Sequence, residues 1–158
     1  MKYNIIYSFL HYLVFKIKRR IKFLEDNVGN QVTLRKVENY KVFLEMEVLT
    51  KDRQPKQGNA IFRVYFHASS ISQATIIKRT KCTIPFFVGL PGFCNKQFLV
   101  NQDDGIFSGR YEWETIEMAQ KYASSYAVKF MKKRSSPYPI SYEIIDKKTN
   151  ETLECAEF

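Results

Sequence analysis

The sequence predicts an α+β fold. An antiparallel sheet follows the order β-α-β-β-α-β with both helices on one face, preceded by an amphipathic basic helix. Three observations predict it. Residues 61–67 alternate Phe62, Val64 and Phe66 against Arg63, Tyr65 and His67, the period-two pattern of a strand with two unlike faces. Asn101-Gln-Asp-Asp-Gly105 sits between two apolar runs and supplies a glycine for a hairpin turn. Thr115 can cap a long apolar-striped helix that Pro137 and Pro139 must stop.

Residues 3–24 open the chain with apolar side chains at Ile6, Leu10, Leu13, Ile17, Ile21 and Leu24, the spacing of one helix face. The apolar stretch is too short to span a bilayer, which needs about 20 residues. The basic cluster follows the apolar run rather than preceding it, so a secretory signal fits poorly. Such a helix either packs on its own domain or lies in a membrane interface, with Lys16, Lys18, Arg19, Arg20 and Lys22 on anionic lipid.

Residues 26–59 form a connector. Two β-branched runs, 31–37 and 41–49, flank Glu38-Asn39-Tyr40 as a hairpin turn, and 51–59, with Pro55 and Gly58, reads as a linker. The domains are thus 1–25, a basic helix; 26–59, the connector; and 60–158, the α+β domain. Within the last, the strand at 61–67 leads through Ser69-Ser70, a helix cap, into a helix over 71–80. Strands follow at 93–100 and 106–113, the latter placing Phe107, Gly109, Tyr111 and Trp113 on one face. A helix over 115–133 and a strand over 140–145 complete the series. This is the split-βαβ, ferredoxin-like plan. Its helix-free face is expected to carry Arg63, Tyr65, Lys96, Phe98, Val100, Arg110 and Glu112, and a partly apolar open face on so small a domain calls for a cover.

The formal charge is +9, from 25 bases against 16 acids, and six of the bases with no acid lie in the first 24 residues. A nucleic-acid-binding domain carries its basic footprint on the folded body. The third-strand run of RNA-recognition domains starts with a base, whereas here it starts with Asp104 and is interrupted by Ser108-Gly109, so RNA binding is not favoured. Cys82, Cys94 and Cys155 are odd in number and lack C-x-x-C spacing. With only two histidines, no metal site is expected, and reduced thiols point to a cytoplasmic protein, peripherally membrane-bound if the first helix meets lipid.

Pro91-Gly-Phe93 entering a strand, the glycine hairpin, and Trp113-Glu-Thr115 before an alanine-bearing helix with Ala119 and Tyr122 resemble the dimeric α/β-barrel superfamily, within it the antibiotic-biosynthesis-monooxygenase and YdhR-like group. The resemblance spans roughly residues 60–146. It implies a homodimer with a pocket between sheet and helices. It also implies activities ranging from cofactor-free oxygenation of aromatic substrates to none. Haem-degrading members ligate haem through a histidine in the helix after the tryptophan; here Tyr122-Ala123-Ser124 occupies that stretch, so no cofactor is expected. The pocket candidates are Tyr111, Trp113, Tyr122, Tyr126 and Tyr142, with Trp113 equally readable as a core anchor; the dimer-face candidates are Arg63, Tyr65, His67, Arg110 and Glu112. Two readings stay open: a monooxygenase-like oxidoreductase with a small hydrophobic or aromatic substrate, or a non-catalytic homodimer binding a small molecule or lipid.

Overall fold

Side-chain alternation along eight strands produces a single antiparallel sheet. The computed structural model describes residues 4–34, 37–67 and 71–157. The strands are β1 (Ile21–Phe23), β2 (Gln31–Leu34), β3 (Val37–Val48), β4 (Ala60–Phe66), β5 (Phe93–Asn101), β6 (Phe107–Trp113), β7 (Ser141–Asp146) and β8 (Thr152–Glu157). They lie in the order β1-β3-β5-β6-β4-β7-β8, with β2 also paired to β3. The helices are α1 (Ile5–Ile17), α2 (Gln73–Arg79), α3 (Ile116–Ala123) and α4 (Tyr126–Ser135), and a 3-10 segment over Thr80–Phe86 continues α2.

Two rows of directly opposed residues define the sheet's faces. Ile144, Phe62, Tyr111, Lys96 and Met46 stand opposite one another across β7, β4, β6, β5 and β3. This row belongs to the helix-covered side, and all five are buried. The neighbouring row, Glu143, Arg63, Arg110, Gln97 and Glu45, points the other way. There Arg63 donates to Glu143 at 2.8 Å, Tyr65 Oη donates to the same carboxylate, and Gln97 donates to Glu45. Arg110 and Lys147 both pair with Glu112. The helix-free face is therefore a ladder of compensated charges. Its far end holds a small second core of Leu34, Tyr40, Val42, Tyr65 and Leu99, built with the β2–β3 hairpin.

Several elements differ from the sequence expectation. The first helix ends at Ile17, not near residue 24. Arg19 adopts φ +50°, its N–H reaches Lys16 O and that of Arg20 reaches Phe15 O, a Schellman close that frees Ile21–Phe23 to pair with β3. The turn expected at Glu38–Tyr40 falls inside β3, and the β2–β3 connection lies outside the described residues. β3 pairs with β5 along most of its length, so the connector is part of the sheet. The Ser69-Ser70 cap also lies outside the described residues; Ser72 caps α2 by accepting from Thr75 N.

Thr115 caps α3 through Met118 N as expected, but the helix breaks at Ser124-Ser125. Ser124 Oγ bonds back to Lys121 O and Ser125 is extended, the competition with helical hydrogen bonds that serine pairs offer. Finally, Lys96, Phe98 and Val100 do not join Arg63 and Arg110 on the helix-free face. A bulge between Phe93 and Asn95 adds one residue to β5 and turns them to the helix side.

Candidate functional site

Between the sheet and α2, the 3-10 segment and α4 lies a cavity of about 400 Å³. The floor is the β5–β6 part of the sheet. Phe98 and Gly109 are cross-strand partners there, and the absent side chain at Gly109 leaves space: a Cβ would stand 2.8 Å from the Tyr111 ring and 3.5 Å from Lys96 Cε. Phe86 and Phe87 close one wall, Phe130 and Met131 of α4 another, and Ile5 of α1 reaches the edge.

The polar groups around this space are few, and most are occupied. Thr80 and Thr83 donate their hydroxyls to Ile76 O and Thr80 O. Tyr126 Oη donates to Phe86 O, and burial pushes its phenol up to about 12. Tyr111 and Tyr122 are hydrogen-bonded to each other, and burial holds both phenols above the usual tyrosine value.

Lys96 is different. It is 5% exposed and lines the cavity, and among the described residues its Nζ has no hydrogen bond and no ion pair. Instead it lies 3.7 Å from the centroid of the Phe98 ring and 4.2 Å from those of Phe87 and Tyr111. Burial pulls the amine well below the ordinary lysine value. The three ring faces return part of that loss, since a desolvated cation–π contact is worth about 2 kcal/mol. Lys96 is thus an amine in an apolar box that gives up its proton more readily than an exposed lysine. No Asp or Glu is among the described residues lining the cavity, whereas Arg79, Arg134 and His67 join Lys96 there.

The sequence candidates separate cleanly. Tyr111, Tyr122 and Tyr126 line the cavity. Trp113 does not; it is fully buried behind it, with its ring against Phe93 and Tyr122. Tyr142 is also away from the wall and donates to Glu154 of β8. Arg63, Tyr65, Arg110 and Glu112 share the opposite face. His67, expected beside them, lies just past the end of β4, packs against the Tyr138 ring in a tilted arrangement with centroids 4.7 Å apart, and borders the cavity instead. Lys96 was absent from the candidates. The signal for it was a lysine on a strand otherwise rich in apolar residues, hidden by the bulge that sets its direction.

At the amino-terminal helix, Ser8 is buried and donates to Pro85 O, while Tyr12 and Phe15 pack on the core. The expected stripe faces outward: Ile6 is 65%, Leu10 56% and Ile17 81% exposed. Lys16, Lys18 and Arg19 are exposed beside it, whereas Arg20 donates to Leu49 O and Lys22 pairs with Glu47. No helix among the described residues is long and apolar enough to cross a membrane. Among these residues no group of His, Cys, Asp and Glu is placed to hold a metal ion. No family model, curated protein or solved structure matches the chain.

Proposed function

We propose that this protein takes a small hydrophobic or aromatic molecule into the cavity between its sheet and helices. The cavity itself carries this reading. Its size lies within the range of small-molecule sites, its walls are mainly apolar, and the Lys96 amine stands inside it with no hydrogen-bond or ion-pair partner among the described residues. In the same reading, β4 to β7 with α2, α3 and α4 form a ferredoxin-like unit. The strand order β5-β6-β4-β7 supports it, with β3 and β8 as additions at either side. The unit pairs with a second copy as a dimeric α/β barrel through the face bearing Arg63, Tyr65, Arg110 and Glu112.

Monooxygenase-like chemistry without a cofactor needs a base beside an ionisable substrate. Lys96 and His67 are the wall groups able to take that proton. The test is binding of a fluorescent hydrophobic probe to the full chain and to Ala127→Phe, which projects a ring into the cavity from α4. Loss of binding with an unchanged circular dichroism spectrum is expected. Equal binding by both, or none by the wild type, overturns the reading.

A second reading, peripheral attachment to a membrane, is favoured by the outward stripe of α1. Ile6, Leu10 and Ile17 would enter the interface beside Lys16, Lys18 and Arg19, each basic side chain adding about 1 kcal/mol near an anionic surface. Full-length protein should then pellet with anionic vesicles and be released by salt. The variant carrying Ile6→Ser, Leu10→Ser and Ile17→Ser should stay in solution. Indifference to lipid charge in the wild type overturns this reading.

A further inference from the structure

We propose that the ligand is a hydrophobic acid whose carboxylate is received by Lys96, the amine taking up a proton as the ligand enters. This rests on reading the cavity as a ligand site and names the ligand's chemistry. Three observations carry it. Lys96 Nζ is enclosed on several sides by Phe87, Phe98 and Tyr111 and has no hydrogen-bond or ion-pair partner among the described residues. The hydroxyls of Thr80, Thr83 and Tyr126 are spent on backbone carbonyls and those of Tyr111 and Tyr122 on each other. Ser108, whose Oγ has no partner among the described residues, stands in the row of Leu99 and Tyr65 on the other face of the sheet, so on the cavity floor the lysine is the polar group left to meet a ligand. No Asp or Glu is among the described residues lining the cavity, whereas Lys96, Arg79 and His67 are, which suits an anionic head and opposes a cationic one.

An aliphatic or aromatic tail suits the remaining walls, where Phe43, Phe66, Phe107 and Met131 are apolar. The cavity edge at Ile5 adjoins the outward apolar side of α1, the direction from which a molecule partitioned into lipid would arrive.

The proton balance gives the proposal its signature. In the empty cavity burial disfavours the ammonium; a carboxylate alongside favours it. Carboxylate binding therefore draws one proton from solvent onto Nζ over the pH range between those two states, and affinity falls as pH rises through that range. The other titratable groups facing the space are accounted for. The phenols of Tyr111, Tyr122 and Tyr126 are pushed upward, an arginine guanidinium does not deprotonate in proteins, and His67 is tested by substitution.

The experiment is calorimetric titration of full-length protein with decanoate and with decanol, in two buffers of different ionisation enthalpy across pH 6 to 10. Decanoate should bind about tenfold to a hundredfold more tightly than decanol, the span expected of a charged hydrogen bond. It should take up protons, and its affinity should decline with pH. Lys96→Met should abolish both preference and proton uptake while still binding decanol; His67→Asn should keep both. Equal binding of the two probes overturns the proposal and leaves the hydrophobic-ligand reading intact. So does a preference that survives in Lys96→Met, which would place the head group on Arg79 or Arg134. Failure of both probes to bind overturns both.

Discussion

A methyl group at Gly89 would lie 2.1 Å from the carbonyl oxygen of Ser8. The bare glycine backbone is what allows α1 to approach the segment after the 3-10 helix, where Ser8 Oγ then reaches Pro85 O at 2.8 Å. Gly89→Ala should therefore unseat α1 and cost roughly 1–3 kcal/mol, the usual effect of overpacking. Hydrogen exchange should show α1 amides losing protection while β4 and β6 keep theirs. Unchanged protection across α1 would mean that the contact yields without consequence.

Lys96→Met should stabilise the protein at neutral pH by roughly 1–3 kcal/mol, because an unpaired buried donor is removed. The sign with pH follows from its lowered value. The unfolded chain's lysine is protonated up to about 10.5, whereas burial makes the folded chain's amine lose its proton at lower pH. The wild type thus carries its full penalty below the folded-state value and loses it as pH rises towards the unfolded one. The gain from Lys96→Met should be largest at the low end of the pH range, shrink as pH rises towards about 10.5 and level off above it, as read from denaturant melts. A gain independent of pH would contradict a lowered amine value at Lys96.

Trp113→Ala should cost roughly 3–5 kcal/mol, as large-to-small core changes do, since the ring is fully buried. Trp113→Phe should fold and leave ligand titrations unchanged, because the cavity wall does not include it. An altered affinity in Trp113→Phe would show that the ring acts on the site through Tyr122.

Glu143→Ala should be among the more damaging changes on the helix-free face. It removes the carboxylate to which Arg63 and Tyr65 both donate, and breaking a buried pair typically costs about 3–5 kcal/mol. Because Glu143 and Arg63 remain slightly exposed, the lower end of that range is expected in urea denaturation. If the proposed dimer uses this face, the full chain should sediment at micromolar concentration as twice 18.7 kDa. A single monomeric species would remove the second copy from the proposal.

The parts of the fold legible in the sequence were those set by local chemistry. The alternation in β4, the Asn101–Gly105 turn, where Gly105 has φ +73°, and the Thr115 cap are each encoded within a few residues. What escaped depends on distant partners. β8 alternates weakly and is a strand because β7 offers it an edge, and β1 exists because Val48, Glu47 and Met46 of β3 stand opposite it. The site followed the same division. Tyr111 and Tyr122 were legible because a strand face and a helix stripe project them together, while Lys96 was lost to a one-residue bulge that no periodicity announces. The stripe of α1 was legible as amphipathic, but its direction hangs on Gly89, far away in the chain.

Ile5 belongs at once to α1 and to the cavity wall. Seating of the helix and occupancy of the cavity are therefore two equilibria that share a residue. If a filled cavity holds α1 more firmly than an empty one, then whatever draws α1 away must loosen the ligand by the same factor, a reciprocity that thermodynamic linkage imposes. A surface that captures the outward stripe of the helix would in that case also control release from within.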